Sequence, residues 1–416
     1  MNFGRRRVVV TGLGMVTPVG VGVKATWQGL LNNVSGVGLI TLYDTSRHEV
    51  KIAGEIKNFA PENYIEKREV RRLDRFSQLA VAAAAEAVLD SKLDFSKEDT
   101  SRCGVLMGTG IGGISEIEEQ KERLMTKGPG QVSPFLIPKL MANAAAAHVS
   151  ILHGLRGPNY CIVTACAAGA NSLGSALRTI QYGEADIMLA GGSEAAVTPL
   201  GMAGFSNMGA LSKRNDDPAG ASRPFDKERD GFVMGEGAGV VVLEELEHAL
   251  KRDARIYAEF TGYGLSGDGH HITSPCEDGD GGVRAIAGAL KDANLCPEDI
   301  DYVNAHGTST STNDRIETIA IKRVLGDHAK KIPVNSTKSM TGHTLGAAGG
   351  VEFVVMCLSI AEEKIHATLN YKTPDPDCDL DYVPGSARAH KIRNALSNSL
   401  GFGGHNATLV ASRLKL

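Results

Sequence analysis

Residues 8–14 read V-V-V-T-G-L-G, and residues 258–264 repeat this pattern as A-E-F-T-G-Y-G. After an insertion, each copy is followed by an amphipathic helical pattern and then by an apolar strand that ends in Gly-Thr. The helical patterns cover residues 77–89 and 283–293, and the strands start at residues 103 and 301. We therefore predict two similar halves, 1–254 and 255–416.

Strands that alternate with helices are typical of an α/β protein with largely parallel, buried sheets. Further apolar strands are predicted at 185–191 and 239–243. The helical patterns at 173–181 and 350–360 consist mostly of small or apolar residues, so we expect both helices to lie between layers. Residues 216–231, D-D-P-A-G-A-S-R-P-F-D-K-E-R-D-G, are polar and rich in turn formers and predict a surface loop.

The composition narrows the class of protein. With 416 residues, of which 42% are hydrophobic, the chain can bury a large core. Its net charge of −4 gives no reason to expect nucleic acid or a membrane surface as a partner. We find neither a membrane-spanning apolar run nor a secretory signal. The seven cysteines are scattered without a C-x-x-C pair, which argues against disulfides or zinc and favours the reducing cytoplasm.

Cys166 is the candidate nucleophile. It lies in V-T-A-C-A-A, residues 163–168, where an apolar stretch gives way to a helical pattern of small residues. The free N–H groups and the dipole at a helix N-terminus favour a thiolate, so we predict that Cys166 attacks at neutral pH. The alternative is a buried, inert cysteine.

Two histidines are candidate partners of Cys166. His306 ends an apolar strand pattern and begins H-G-T-S-T-S-T, which places it at a sheet edge where catalytic groups of α/β proteins gather. His343 lies in K-S-M-T-G-H-T-L-G-A-A-G, a glycine-rich turn before an apolar helix. A helix N-terminus disfavours imidazolium, so His343 should stay neutral and donate an N–H to a carbonyl. A structural role is the alternative for His306.

A third glycine-rich turn, N-S-L-G-F-G-G-H-N at 398–406, surrounds Phe402. Glycines on both sides permit unusual dihedral angles, so the Phe402 amide can turn toward a site. Together with the amide of Cys166 it would form an oxyanion hole. The alternative is an ordinary glycine-rich hairpin.

Five segments occur in order along the chain. They are V-T-A-C-A-A-G-A-N around Cys166, D-G-F-V-M-G-E-G-A-G from Asp230, H-G-T-S-T from His306, K-S-M-T-G-H-T-L-G-A-A-G from Lys338, and G-F-G-G from Gly401. Together they resemble the β-ketoacyl-[acyl carrier protein] synthases, most closely the elongating subtype, synthase II. The resemblance covers essentially the whole chain. It implies a thiolase-like fold, with five αβαβα layers built from two similar halves, and a homodimer.

The resemblance also implies a decarboxylative Claisen condensation. Cys166 would carry the acyl chain delivered by acyl carrier protein. His306 and His343 would hydrogen-bond the thioester carbonyl of malonyl-carrier protein while CO₂ leaves. The amides of Cys166 and Phe402 would then hold the alkoxide formed when the enolate carbon attacks. No cofactor or metal is implied, because the carrier protein brings its own phosphopantetheine.

Supporting residues follow from the same resemblance. Lys338 would form a charged network with Asp314 and Glu317 that holds the histidines. The hydroxyls of Thr308 and Thr310 would bind the pantetheine amides.

The acyl pocket is implied as well, whereas the presence of a monovalent cation is left open. Ile111 and Phe205 would line the pocket, and Phe402 would be its gate. Leu400 stands where many members carry phenylalanine, which leaves the chain-length preference open. Some relatives hold a monovalent cation near the residues that correspond to Asn304, Glu352, Ser397 and Asn398.

Carrier protein is acidic and should dock on a basic patch. The segment E-K-R-E-V-R-R, residues 66–72, offers Lys67, Arg68, Arg71 and Arg72. The alternative is a solvated, charged helix end.

Other readings fit the sequence less well. Gly108, Gly110 and Gly113 form the G-x-G-x-x-G of dinucleotide-binding enzymes, but no acidic residue follows at the expected spacing. Thiolases carry a second C-terminal cysteine, the priming synthase pairs its cysteine with one histidine and one asparagine, and chain-length factors lack the nucleophile. A polyketide ketosynthase with the same chemistry is the alternative function.

Overall fold

The computed structural model describes residues 4–415. The strands are β1 Val8–Thr17, β2 Gly20–Val21, β3 Val37–Leu39, β4 Ile52–Gly54, β5 Cys103–Gly108, β6 Asn159–Ile162, β7 Ile187–Glu194, β8 Gly237–Glu245, β9 Ala258–Gly267, β10 Tyr302–Asn304, β11 Val334–Asn335, β12 Lys364–Ile365, β13 Arg388–Ala389, β14 Asn394–Gly401 and β15 His405–Ser412. The α-helices are α1 Val23–Leu31, α2 Lys67–Val70, α3 Arg75–Ser91, α4 Ile114–Lys127, α5 Leu136–Leu140, α6 Ala144–His153, α7 Ala168–Gln181, α8 Pro199–Asn207, α9 Pro218–Ala221, α10 Leu246–Lys251, α11 Asp280–Ala293, α12 Ser311–Leu325, α13 Lys338–Thr341 and α14 Ala348–Glu362.

One large sheet carries both halves of the chain. Its strands lie in the order β11-β10-β14-β15-β9-β1-β8-β7-β5-β6, with β2 paired to β1. The central pair is β9 and β1, and the order of strands outward from it is of the same kind on both sides. The second half runs β9-β15-β14-β10-β11 and the first half runs β1-β8-β7-β5-β6. The sheet therefore repeats the duplication that is visible in the sequence.

The prediction of largely parallel sheets is wrong. Parallel pairing is confined to β5 with β6 and β7, and to β10 with β11 and β14. The other pairs along the path are antiparallel. The β14–β15 pair shows why, because the short turn at 402–404 joins the two strands, and so short a connection can join only antiparallel neighbours.

The five αβαβα layers expected from the resemblance are confirmed. Helices α7 and α14 form the central layer, because each contacts strands of both halves. On the outside, α3 and α6 cover the first half, whereas α11 packs on the second half with α12 beside it.

The central layer also contains the apolar segment Leu345–Glu362. By length and composition, this segment corrects the expectation that the chain has no membrane-spanning apolar run. It is the one such helix among the described residues, but 89% of it is buried inside the protein. Its apolar character therefore fits a core helix that has sheets on both sides.

Close backbone packing explains the repeated T-G-x-G pattern. A Cβ atom at Gly14 of β1 would lie 1.8 Å from the carbonyl oxygen of Ala83 in α3. A Cβ atom at Gly264 of β9 would lie 2.0 Å from the carbonyl oxygen of Ala285 in α11. Each half therefore requires glycine where its outer helix rests on its long strand.

Replacing Gly14 with alanine is expected to destabilise the protein, because the added methyl group overlaps the α3 backbone. Overpacking of this kind typically costs about 1–3 kcal/mol. The midpoint of denaturant-induced unfolding measures the loss. Gly130→Ala is the matched control, since a Cβ atom there has no neighbour within 4 Å. Equal midpoints for the two variants would contradict this account of the motif.

Candidate active site

Cys166 lies in the 3-10 turn Ala165–Ala167, between β6 and the start of α7. Its side chain is 7% exposed. The preceding Ala165 has a φ of +49°, in the left-handed region that non-glycine residues rarely adopt. The strained turn directs the sulfur into a cavity at the junction of the two halves.

The predicted thiolate is not the resting form. Burial raises the pKa of the Cys166 thiol to about 11, although Lys338 and the amide of Phe402 act to lower it. The sequence argument counted the helix N-terminus but could not count the loss of water around a buried sulfur. Cys166 therefore rests as a thiol.

Two backbone amides face the Cys166 sulfur, its own and that of Phe402. Phe402 follows β14 at a turn in which Gly403 and Gly404 have φ angles of +80° and +72°. This arrangement agrees with the predicted oxyanion hole. The Phe402 ring stacks on Phe205, with ring centroids 6.4 Å apart.

The structure brings both histidines to Cys166. The sulfur and one ring nitrogen of each histidine all lie within 4.8 Å of one another. The rings of His306 and His343 are nearly perpendicular, with centroids 5.2 Å apart. A nucleophile and two imidazoles can thus act on one small substrate.

The hydrogen bonds define the tautomer of each imidazole. The amide of Leu345 donates to Nδ1 of His343 at 3.3 Å, and the ammonium group of Lys338 donates to Nδ1 of His306 at 3.3 Å. A neutral imidazole that accepts at Nδ1 carries its proton on Nε2. Both histidines are therefore Nε2–H donors.

Both imidazoles are also held neutral. Burial lowers the pKa of His306 and His343 well below the ordinary value, and the nearby Lys338 charge lowers it further. The prediction that His343 is neutral agrees with this lowered pKa. The main cause of the lowering, however, is burial and not the helix N-terminus.

The Cys166, His306 and His343 group also has the composition of a metal site. A metal would need a free lone pair on a ring nitrogen. The Nδ1 atoms accept the hydrogen bonds described above and the Nε2 atoms carry protons. The arrangement therefore favours hydrogen-bond donation to a substrate.

The partner of Lys338 differs from the prediction. Its ammonium group bonds the carbonyl oxygen of His306 at 2.7 Å and pairs with Glu352. Together with Nδ1 of His306 these contacts use all three of its N–H groups. Neither Asp314 nor Glu317 contacts it.

Asp314 and Glu317 instead hold the backbone of the His306 loop. Glu317 accepts from the amides of His306 and Gly307, both at 2.8 Å. Asp314 accepts from the amide of Thr308 at 2.9 Å. The two carboxylates therefore position His306 through its main chain, a distinction that sequence spacing cannot make.

Residues 216–231 were expected on the surface, and that prediction holds for only part of the segment. Positions 216, 217, 219, 227, 228 and 230 are exposed, whereas residues 220–226 are buried. Arg223 and Phe225 are 4% and 0% exposed. The Phe225 amide donates to Asp314 at 2.8 Å, and the Arg229 guanidinium donates to the carbonyl oxygen of Thr310 at 3.1 Å. The buried polar residues of the segment are hydrogen-bonded inside the protein, so part of its polarity reflects buried hydrogen bonds and the rest solvent exposure.

A cavity of about 410 Å³ opens onto Cys166 and both histidines. Of the residues assigned to substrate binding, those in its wall are Thr308, Thr310, Phe205 and Phe402. Leu400 also lines it, whereas Ile111 does not and is 37% exposed. Ile111 is therefore not part of the pocket wall within one chain.

The residues that correspond to the cation site of some relatives fit such an ion. Asn304 Oδ1, Glu352 Oε2 and Ser397 Oγ are buried without a hydrogen-bond partner. Oxygen donors of this kind suit a hard cation. Asn398 is already engaged, since its oxygen accepts from Thr408 at 2.9 Å and its nitrogen donates to Glu317 at 3.2 Å.

The basic segment lies on and after α2, and its four basic residues are exposed. Arg68 pairs with Glu66 at 2.9 Å, and Arg72 pairs with Glu69 at 2.9 Å. Lys67 and Arg71 have no acidic partner within salt-bridge distance among the described residues. They are the two cations that a docking partner could neutralise most easily.

The five-layered fold, with a cysteine and two histidines where its halves meet, defines a condensing enzyme of the thiolase-like class. Residues 5–249 match the family described as beta-ketoacyl synthase, N-terminal domain, and residues 257–372 match its C-terminal domain. The chain belongs to the beta-ketoacyl synthase family.

Relatives of this chain include enzymes named 3-oxoacyl-[acyl-carrier-protein] synthase 2. One from Synechocystis sp. is 53% identical over 409 residues, covering 98% of each chain. One from Staphylococcus aureus is 51% identical over 410 residues, covering 99% of each chain. A similar solved structure is a type II polyketide ketosynthase in complex with its acyl-carrier protein, with a TM-score of 0.91 and 41% identity over 99% of this chain and 100% of that one.

Alkylation of Cys166 tests its resting form. With a thiol pKa of about 11, the thiolate fraction keeps growing with pH up to that value. Modification by iodoacetamide, followed at Cys166 by mass spectrometry, is therefore expected to accelerate roughly tenfold per pH unit from pH ~7 to ~10.

The same cysteine in the denatured chain is the control, where an unperturbed thiol should level off above pH ~9. A native rate that is already constant near neutral pH would show a stabilised thiolate and contradict the assignment.

Proposed function

We propose that this protein catalyses the decarboxylative Claisen condensation of malonyl-[acyl carrier protein] with a Cys166-bound acyl chain. The product is 3-oxoacyl-[acyl carrier protein], longer by two carbons. The observation that carries the proposal is the meeting of one thiol and two Nε2–H donors in one cavity. Membership of the beta-ketoacyl synthase family and the names of the relatives support the substrate class.

The first step moves an acyl group onto the enzyme. The Cys166 sulfur attacks the thioester of acyl-carrier protein while the amides of Cys166 and Phe402 hold the oxyanion. As the tetrahedral species collapses, the pantetheine sulfur leaves and takes up the proton that Cys166 gives up. This exchange fits a nucleophile that rests as a thiol.

Malonyl-carrier protein then loses CO₂. The electron pair of the broken C–C bond moves into the thioester carbonyl and forms an enolate. The Nε2–H groups of His306 and His343 donate to that oxygen, and since both are neutral and held in place, they stabilise the new charge without reorganisation.

The last step joins the two chains. The enolate carbon attacks the Cys166 thioester, and the resulting alkoxide occupies the hole formed by the Cys166 and Phe402 amides. Collapse forms the β-ketoacyl product and releases the cysteine sulfur, which takes up one proton. Its raised pKa favours this return to the thiol.

Each half contributes a part of this site. In our division of the chain, residues 1–254 provide the nucleophile Cys166, and residues 255–416 provide the hydrogen-bond donors His306 and His343. Residues 1–3 and 416 of these two ranges lie outside the described residues. The carrier protein supplies phosphopantetheine, so the reaction needs no bound cofactor.

A polyketide-type ketosynthase is the second candidate, because a solved type II polyketide ketosynthase and a solved ketosynthase/chain length factor share the fold at 41% and 38% identity. The fatty-acid reading is favoured by relatives named synthase 2 at 53% and 51% identity. Comparing the turnover of saturated acyl-carrier substrates with the turnover of polyketide intermediates distinguishes the two functions.

We also propose a homodimer in the cytoplasm. Strand β6 ends the large sheet, and the nearby Tyr160 and Val163 are 43% and 54% exposed. An uncovered strand edge of this kind is a natural surface for a second copy. All seven cysteines are free, which fits a reducing compartment.

His306→Ala and His343→Ala test the donor role. Each is expected to reduce ¹⁴CO₂ release from labelled malonyl-carrier protein on the order of 10²-fold or more. Acylation of Cys166, measured by mass spectrometry, should continue because its oxyanion hole is intact. Cys166→Ser is the complementary control and should abolish condensation. Unchanged CO₂ release in both histidine variants would overturn the mechanism.

The docking surface is tested by charge reversal of its two unpaired cations. Lys67→Glu and Arg71→Glu are expected to raise KM for acyl-carrier protein, because each replaces attraction for an acidic partner with repulsion. Lys97→Glu, at an exposed lysine that pairs with Asp94 at 3.0 Å, is the control and should leave KM unchanged. If KM responds equally at both places, the docking surface lies elsewhere.

A further inference from the structure

Glu194, the last residue of β7, is a fully buried carboxylate outside the mechanism above. Its Oε1 accepts from the Thr109 hydroxyl at 2.8 Å and from the Ile111 amide at 3.2 Å. Its Oε2 accepts from the amides of Gly110 at 2.5 Å and Gly346 at 3.1 Å. Backbone and hydroxyl donors thus provide its stabilisation.

These contacts explain the G-x-G-x-x-G pattern. In dinucleotide-binding proteins the amides of such a loop bind a pyrophosphate. Here the amides at 110–112 bind the Glu194 carboxylate. The glycine-rich loop therefore binds a carboxyl group of the protein itself.

Glu194 joins two loops from different halves of the chain. One is the loop after β5, and the other is the turn between His343 and α14. The two are in backbone contact, since a Cβ atom at Gly346 would lie 2.2 Å from the amide nitrogen of Gly110. The carboxylate accepts from both amides through one oxygen.

The second loop controls His343. The Leu345 amide is the donor to Nδ1 of His343, and it is the neighbour of Gly346 in the chain. Leu345 has a φ of +47°, a conformation that a leucine keeps only when its surroundings hold it. The hydrogen bond from Gly346 to Glu194 is one such constraint.

We propose that Glu194 is a positioning residue for His343. By fixing the Gly346 amide it holds the Leu345 turn, and the Leu345 amide keeps the proton of His343 on Nε2, directed at the thioester oxygen. This role rests on the proposed function, because it assigns Glu194 to the CO₂-releasing half-reaction.

The acylation half-reaction should depend on Glu194 much less. Its oxyanion hole consists of the amides of Cys166 and Phe402, which do not bond Glu194. Burial raises the pKa of Glu194 itself, and any negative charge on it acts to raise the pKa of Cys166. Removing Glu194 therefore does not make the thiol harder to ionise. A loss confined to one half-reaction is therefore the signature of the proposal.

Glu194→Gln is the test substitution. The amide has the same shape but only one acceptor oxygen, so its NH₂ group must face one of the two sets of donors. We expect kcat for ¹⁴CO₂ release from malonyl-carrier protein to fall on the order of 10²-fold, the typical effect of a misplaced catalytic group. KM for malonyl-carrier protein and the rate of Cys166 acylation should stay within about threefold. Glu194→Asp, which keeps two acceptor oxygens, should recover part of the CO₂ release.

Glu244→Gln is the matched control. Glu244 is equally buried and lies on β8 opposite Ile187, at the other end of β7. Its variant should lose stability without a selective loss of CO₂ release. The proposal is overturned if Glu194→Gln releases CO₂ at the wild-type rate, if both half-reactions fall equally, or if Glu244→Gln shows the same split. A wild-type enzyme that releases no CO₂ would refute the proposed function instead.

Discussion

Backbone-to-backbone packing where α7 and α14 begin holds this protein together. A Cβ atom at Gly350 would lie 2.3 Å from the carbonyl oxygen of Gly239 in β8, and one at Gly349 would lie 2.4 Å from the amide nitrogen of Ala170 in α7. Cys166 immediately precedes α7, and His343 shortly precedes α14. Because glycine lets these helix ends touch each other and the sheet, the nucleophile of one half and a donor of the other meet in one cavity.

The electrostatics of the cavity follow from the same close packing. Burial keeps the Cys166 thiol protonated and both histidines neutral. The one cation among them, Lys338, is neutralised by Glu352 and directed at the backbone and ring of His306. An uncharged site with fixed N–H donors stabilises negative charge strongly when it develops, because little water is present to screen it.

Buried carboxylates organise the loops around this centre. Glu317 and Asp314 bind amides of the His306 loop, and Glu194 binds amides on both sides of the contact between Gly110 and Gly346. In each case a buried carboxyl group accepts from backbone groups that no regular structure satisfies.

Local sequence patterns were sufficient to predict much of this protein. The T-G-x-G repeat, the strand and helix patterns, and the placement of Cys166, His306 and Phe402 at element ends depend on neighbours in the chain. The contacts that these patterns left undecided join residues that are far apart in the chain. Only the tertiary structure showed that Lys338 pairs with Glu352, that residues 220–226 are buried, and that Glu194 fills the glycine-rich loop. It also decided the protonation of Cys166, since the pKa of a side chain reflects how much water the whole fold removes from it.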